Sequence, residues 1–301
     1  MNATFVFNSG RFEPAAIWGF VVTAVLVGIG GLLDLVLVVT IVRSSKLRST
    51  SALLIVVQAG SEMAIFPNMI FYLYEITNRT VHPRSTCFWL YVTQQFSVHM
   101  LLGVFPSIGI DRFVCLRYPV WHKYNGKNWL YISPLILCPV FYSFIITFVV
   151  WLNLNDDVMV CNAMDLARNF AKPFWTLTHI AAVILSVVVY GKLWRLARSK
   201  SRTLQNGKTS EVTRSILLIF ASYISGHGLG ILIRLVSNFV QDKNIYKLLR
   251  IAMYIPGSAN VSACTLILYN CSGLYRQEIR RTFCRRRMSR DEEVPNQPCF
   301  A

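Results

Sequence analysis

Charge is what this chain has least of. Asp, Glu, Lys and Arg make up only 15% of its 301 residues against 54% hydrophobic, a balance that excludes an ordinary soluble domain. Acids are the scarcer sign, 14 against 30 Lys and Arg, for a net charge of +16. No aqueous basic domain carries that excess, so nucleic acid is excluded as a partner. Other absences narrow the classes further. There is no internal repeat and no pair of Gly/Pro-broken helices in two matching halves, which argues against a small proton- or ion-linked transporter. Neither a His box nor a nucleophile–base cluster is visible, so the chain does not read as an enzyme. Eight cysteines are spread along the whole chain and form no dense disulfide framework.

Long apolar runs take the place of the missing charge. Phe88–Ile110 and Trp129–Trp151 hold no Asp, Glu, Lys or Arg, and Pro173–Tyr190, Ser215–Ile233 and Ile251–Asn270 are equally uncharged. Ile17–Ile41 holds only Asp34, and Ala52–Tyr74 only Glu62. Each has the length and apolarity of a transmembrane helix, and together they predict seven spans. Residues 1–16 are mixed and polar, so the first span is expected to act as its own insertion signal.

Basic residues orient the bundle. Arg43, Lys46 and Arg48 follow the first span, Arg112, Arg117, Lys123 and Lys127 the third, and a run from Lys192 to Arg214 the fifth. A cluster from Arg276 to Arg290 follows the last. The positive-inside rule then puts the tail in the cytosol and the N-terminus outside. The sequons at Asn2 and Asn78 fall outside, where they can be glycosylated. Cys87 and Cys161 are the two cysteines on that side, hence the expected disulfide. Cys284, among arginines at the other face, is a palmitoylation candidate with a free thiol as its alternative. Gly273–Cys284 reads as an interfacial amphipathic helix with Leu274, Tyr275, Ile279 and Phe283 on one face. The expected organisation is an outer segment over 1–16, a membrane domain over 17–270, and a cytosolic helix and tail over 271–301.

The third span carries a signature. Cys87 opens it and Asp111-Arg112-Phe113 closes it, with Leu116 and Pro119 beyond. From Cys87 to Ile110 is about 36 Å of helix. Lys46-Leu47-Arg48 separates Asp34 and Glu62 at the spacing of a conserved polar pair in helices 1 and 2. These features resemble a rhodopsin-like G-protein-coupled receptor. Ser225-Gly226-His227-Gly228 stands where that family has its tryptophan–proline switch, and Thr265-Leu266-Ile267-Leu268-Tyr269 where it has Asn-Pro-x-x-Tyr. This erosion is similar to the nematode serpentine chemoreceptors. Lys46-Leu47-Arg48-Ser49, Ile110-Asp111-Arg112-Phe113 and Pro139-Val140-Phe141-Tyr142-Ser143 look especially like serpentine receptor class sx.

The resemblance implies an all-α seven-transmembrane bundle with a short cytosolic helix 8, placed in the plasma membrane. It implies an extracellular small-molecule or peptide ligand, a heterotrimeric G-protein partner and contact with membrane lipid. A neuropeptide receptor of the same fold is the alternative within the family. Asp111, Arg112, Phe113, Tyr190 and Tyr269 fall at coupling and switch positions, with an inactive state held by an Asp111–Arg112 pair. Asp34 and Glu62 are intramembrane carboxyls that cannot both ionise at close range. They read either as a sodium site or as a water-mediated hydrogen-bond network, with a proton relay behind both. No other cofactor is implied.

For the ligand pocket, polar residues inside the spans are the candidates. Gln94, Gln95 and His99 line one side of the third span, Trp175 and His179 form an i, i+4 pair in the fifth, and His227 and Arg234 lie two turns apart in the sixth. Arg250 and Tyr254 repeat the i, i+4 spacing in the seventh. Each has a plainer alternative as a structural hydrogen bond or a snorkelling charge. Nothing in the spacing of the three histidines fixes a metal geometry. The two arginines, if both face the cavity, favour an acidic ligand. Gln94 replaces the aspartate of amine receptors, and Ala259 replaces the lysine of opsins.

Overall fold

The computed structural model describes residues 14–283 except 79, 156, 160, 162–165, 204–214, 216, 238 and 241–242. Asn2 and Cys284 therefore lie outside the described residues, as do the side chains of Arg250 and Tyr254. The chain is an all-α bundle. Its helices are α1 (Pro14–Arg43), α2 (Thr50–Met63), α3 (Phe66–Asn78), α4 (Arg84–Arg117), α5 (Pro119–Asn125), α6 (Trp129–Leu152), α7 (Ala171–Thr203), α8 (Leu217–Ser237), α9 (Lys243–Cys271) and α10 (Gly273–Phe283). Among the described residues six helical segments are long and apolar enough to cross a membrane: α1, α2 with α3 taken together, α4, α6, α7 and α8. Their outward faces are apolar: Trp18, Leu32, Phe141, Phe144, Leu177 and Ile184 are all exposed. A soluble protein does not present such faces to water, and the chain is a multi-pass membrane protein.

Proline and glycine set the path of the helices. Pro67 lacks an amide hydrogen and its ring would clash with the carbonyl of Met63. The second span accordingly breaks at Ala64–Ile65, where the Ile65 amide reaches back only three residues to the Glu62 carbonyl, at 3.2 Å. Ser225-Gly226-His227-Gly228 lies within a π-helical turn, Ile224–Gly228, a local widening that two poor helix formers make accessible. A Cβ on Gly226 would lie 2.9 Å from Cβ of Asn260 and 3.0 Å from the Pro256 carbonyl oxygen, so the glycine is what lets α8 and α9 touch. Gly103 does the same for α4 and α6, where an added Cβ would meet Cα of Pro139 at 2.8 Å.

The helix α4 is the central post, packed on α2, α6 and α7, while α9 packs along α1 and α8. The main core gathers Leu37, Leu54, Leu102, Phe105, Tyr223 and Leu268 from five helices. At one end, a two-residue antiparallel pair joins β1 (His82–Pro83) to β2 (Val158–Met159). There the disulfide Cys87–Cys161 closes a separation of 74 residues, surrounded by buried Phe88, Tyr91, Met159 and Leu166. At the other end Pro119 starts the short α5 at its first turn, where its missing amide costs nothing. The helix α10 turns in toward the bundle: Tyr275 joins the main core and Glu278 is buried 4.0 Å from Arg281. Of the four residues expected on its apolar face, Phe283 is exposed.

Candidate functional site

Asp111 and Arg112 close the same helix turn but point to different places. The Asp111 side chain is fully buried and accepts hydrogen bonds from Ser51 on α2, from His122 Nε2 on α5 at 3.0 Å and from the Tyr131 hydroxyl on α6 at 3.0 Å. Thr50 donates to the Gly126 carbonyl beside this cluster. The result is a clasp tying α5 and the starts of α2 and α6 to the end of α4. Outside the membrane spans, the Asp111 carboxylate, seconded by Cys115, holds His122 above its ordinary value, pushed up to about 9, so the imidazole is cationic at neutral pH and the contact is an ion pair.

The Asp111 carboxylate thus has these three partners in addition to the charge of the neighbouring Arg112. Arg112 forms no ion pair among the described residues, and its buried Nε has no hydrogen-bond partner. Three hydrogen bonds occupy most of the carboxylate's acceptor sites, and the neighbouring Arg112 guanidinium acts on it through charge. It lines a cleft of about 630 Å³, open mouth included, together with Gln58, Tyr190, Ser215, Leu268, Leu274 and Tyr275. Tyr190 is buried, donates to the Phe105 carbonyl at 3.2 Å and stacks on Phe220 at 4.2 Å. Phe113 packs against Leu116, Tyr190 and Leu193. Tyr269 is not among the residues lining the cleft; its hydroxyl accepts from Arg280 Nε on α10 at 3.3 Å. Tyr275 stands in the cleft wall in its place.

Deeper in the bundle Asp34 and Glu62 are both buried and face one another within hydrogen-bonding reach. Thr265 Oγ1 donates to Asp34 at 2.9 Å and Gln58 Nε2 to Glu62 at 3.1 Å. The remaining oxygens, Asp34 Oδ2 and Glu62 Oε2, receive no other side-chain or backbone donor among the described residues. Oxygen donors from three helices could hold a small cation or an ordered water here.

Toward the disulfide end a third cluster joins α4, α6, α7 and α8. His99 lies 5.1 Å from His179 and 6.2 Å from Tyr142 between ring centroids. Trp175 stacks on His179 at 3.8 Å, and the Arg234 guanidinium lies 4.0 Å over the Trp175 ring. Gln95 supplies its backbone carbonyl to His99, while Gln94 is buried with Oε1 unpartnered. His227 instead packs against Tyr223 at 4.8 Å, in the π-turn. His99, Trp175, His179 and Arg234 are thus brought together. Asn78 is exposed at the end of α3. Glu75, which the sequence did not single out, is buried beside the disulfide, 3.3 Å from His82 and 3.5 Å from the Tyr91 hydroxyl.

Residues 25–283 match the sequence model of a serpentine-type seven-transmembrane GPCR chemoreceptor family, Srsx. The chain belongs to that family. No curated protein resembles it closely enough to register as a match. Chemosensory signal transduction is the family's work, so the receptor carries no catalytic centre to be sought. Ser51, His122 and Tyr131 were the residues missed from sequence. His122 stands eleven positions after Asp111, across the helix break at Tyr118–Pro119, and no single helical period links the two.

Proposed function

We propose that the receptor crosses the plasma membrane seven times, α9 being the seventh crossing and α10 a cytosolic helix 8. On this reading the N-terminal segment and the disulfide lie outside and the Asp111–Arg112 end faces the cytosol. An extracellular small molecule binds between α4, α7, α8 and α9, and a heterotrimeric G protein engages the cleft at the opposite end. Charge supports the orientation, since Arg117, Lys123 and Lys200 gather at the Arg112 end and the sequence after the last span is arginine-rich. They also offer a basic face to anionic lipid and to an acidic partner.

The observation that supports the coupling reading is that Arg112, whose charge acts on the neighbouring Asp111, also lines the cleft. The acid is committed to Ser51, His122 and Tyr131, while the guanidinium stands in the cleft wall beside Tyr190 without an ion pair among the described residues. A guanidinium held in this way offers five donors to an incoming carbonyl or carboxylate. Signalling is then a population shift: the ligand binds the open-cleft state more tightly than the closed one. Asp34 and Glu62 link α1, α2 and α9 between the two ends and form the polar joint across which such a shift passes. Nucleotide exchange on Gα by receptor-containing membranes tests the reading. Wild type should stimulate exchange and Arg112→Ala at equal receptor density should not; stimulation by both would reject the cleft as the coupling site.

A further inference from the structure

His99 and His179 are held in one tautomer each. Nδ1 of His99 faces the Gln95 carbonyl and Nδ1 of His179 lies 2.9 Å from the Trp175 carbonyl. A carbonyl only accepts, so in each neutral ring the proton sits on Nδ1 and the lone pair on Nε2. Both Nε2 atoms are buried and neither has a hydrogen-bond partner among the described residues. The histidines are 0% and 5% exposed, so solvent does not serve them. Trp175 presents the complementary want, a buried indole Nε1–H with no acceptor. Two bare acceptors and one bare donor therefore collect where α4 and α7 meet, walled by aromatic faces from His179, Trp175 and Tyr142. Buried polar groups are seldom left unpaired without a functional reason.

The chemistry of these groups selects a ligand. A hydroxyl donates through its hydrogen and accepts through its oxygen, and so serves an imidazole Nε2 and the indole N–H together. A carboxylate has no hydrogen to give and would set its lone pairs against those of the histidines. An ammonium would meet the fixed positive charge of Arg234, 4.0 Å above the Trp175 ring. A metal ion is disfavoured because no third His, Cys, Asp or Glu joins the two histidines among the described residues. The acidic ligand expected if both arginines face the cavity depends on Arg250 as well, whose side chain lies outside the described residues, while Arg234 lies on the Trp175 face.

We propose that His99, His179 and Trp175 form a subsite for a small neutral hydroxyl-bearing molecule, an alcohol or phenol. The inference rests on the reading that the receptor takes its ligand between these helices, and it names the class of that ligand. One hydroxyl donates to an imidazole Nε2 and accepts from the Trp175 indole; a second hydroxyl, or a water carried with the ligand, serves the other imidazole.

The test uses the full-length receptor in lipid nanodiscs and a panel of aliphatic and aromatic skeletons, each supplied as the alcohol or phenol, the amine and the carboxylate. Ligand-induced thermal stabilisation and Gα nucleotide exchange are both recorded. Alcohols or phenols should supply the hits, with the amine and acid of the same skeleton at least about tenfold weaker, the worth of about one hydrogen bond or more. His99→Phe and His179→Leu should each weaken the response to the active alcohol about tenfold, while His99→Gln, which keeps an acceptor oxygen, should lose less. Hits confined to amines or acids would overturn the proposal, as would equal potency in all variants or no hit from any hydroxylated skeleton. Stabilisation by Zn²⁺ alone would also overturn it and make the pair a metal site. Ligand-free exchange and its dependence on Arg112 are measured on the same samples, so a failure of the coupling reading is seen separately.

Discussion

Replacing His122 with phenylalanine should raise ligand-free signalling. The imidazole supplies one of three hydrogen bonds to the Asp111 carboxylate, at 3.0 Å, and is the cationic one. Hydrogen bonds to charged groups contribute about 1.5–3 kcal/mol, and the half-buried position of His122 argues for the lower end of that range. A loss of about 1.4 kcal/mol is tenfold in an equilibrium. If the clasp favours the closed cleft, the open fraction and basal nucleotide exchange should rise by up to about tenfold at matched surface expression. Phenylalanine keeps the ring's packing against Tyr131, 5.7 Å away, so the receptor should still reach the surface. The pH dependence supplies a second reading of the same contact. The folded-state value, about 9, lies above the ordinary histidine value of 6.5. The contribution to stability is therefore complete below about 6.5 and is lost as pH rises through 9. The melting-temperature gap between wild type and His122→Phe should be widest below about pH 6.5, narrow steadily above it and close by about pH 10. Unchanged or lower basal exchange, or a gap that widens with pH, would refute the reasoning.

Other substitutions probe other joints. Gly109→Val would place a Cβ 2.7 Å from Val189 Cγ1 and 2.9 Å from the Tyr190 ring; overpacking of about 1–3 kcal/mol should lower the melting temperature and displace Tyr190 from the cleft. Cys87→Ser opens a loop of 74 residues, worth about 4 kcal/mol in chain-entropy terms, and should sharply reduce surface expression on immunoblots of labelled cells. Asp34→Asn keeps an acceptor for the Thr265 hydroxyl and should express near wild type. Asp34→Leu leaves Thr265 and Glu62 buried without their partner and should cost about 2–3 kcal/mol in thermal stability.

How far the sequence could be read depends on whether a feature lies within one helix. The exclusion of charge from Phe88–Ile110 or Trp129–Trp151 reports a membrane directly, and α4 and α6 run through those stretches. The Cys87–Cys161 disulfide followed from which side of the bundle each cysteine faces, and it is formed. The i, i+4 spacing of Trp175 and His179 became a stacked pair on α7. Contacts between helices were much less visible. The resemblance points to Arg112 as the partner of Asp111, and it gives no sign that Ser51, His122 and Tyr131 arrive from three other helices to bond the same carboxylate. The analogy that gives Tyr269 a switch position does not contain its contact with Arg280 or the arrival of Tyr275 in the cleft, both of which depend on the turn at Ser272–Gly273. The meeting of His99 with His179 depends on how α4 and α7 rotate against each other, and one-dimensional spacing does not contain that rotation.

The central proposal is that Arg112, in the wall of the cleft, is the group through which this receptor drives its G protein. The most direct measurement is G-protein activation in cells across a panel of Gα subunits. Pooled small molecules and peptides would be applied to wild type, Arg112→Ala and Arg112→Lys at equal surface expression. The account predicts activation by wild type, none by Arg112→Ala, and a weak remnant in Arg112→Lys, which keeps the charge but loses the planar fork. Undiminished activation by Arg112→Ala would contradict it.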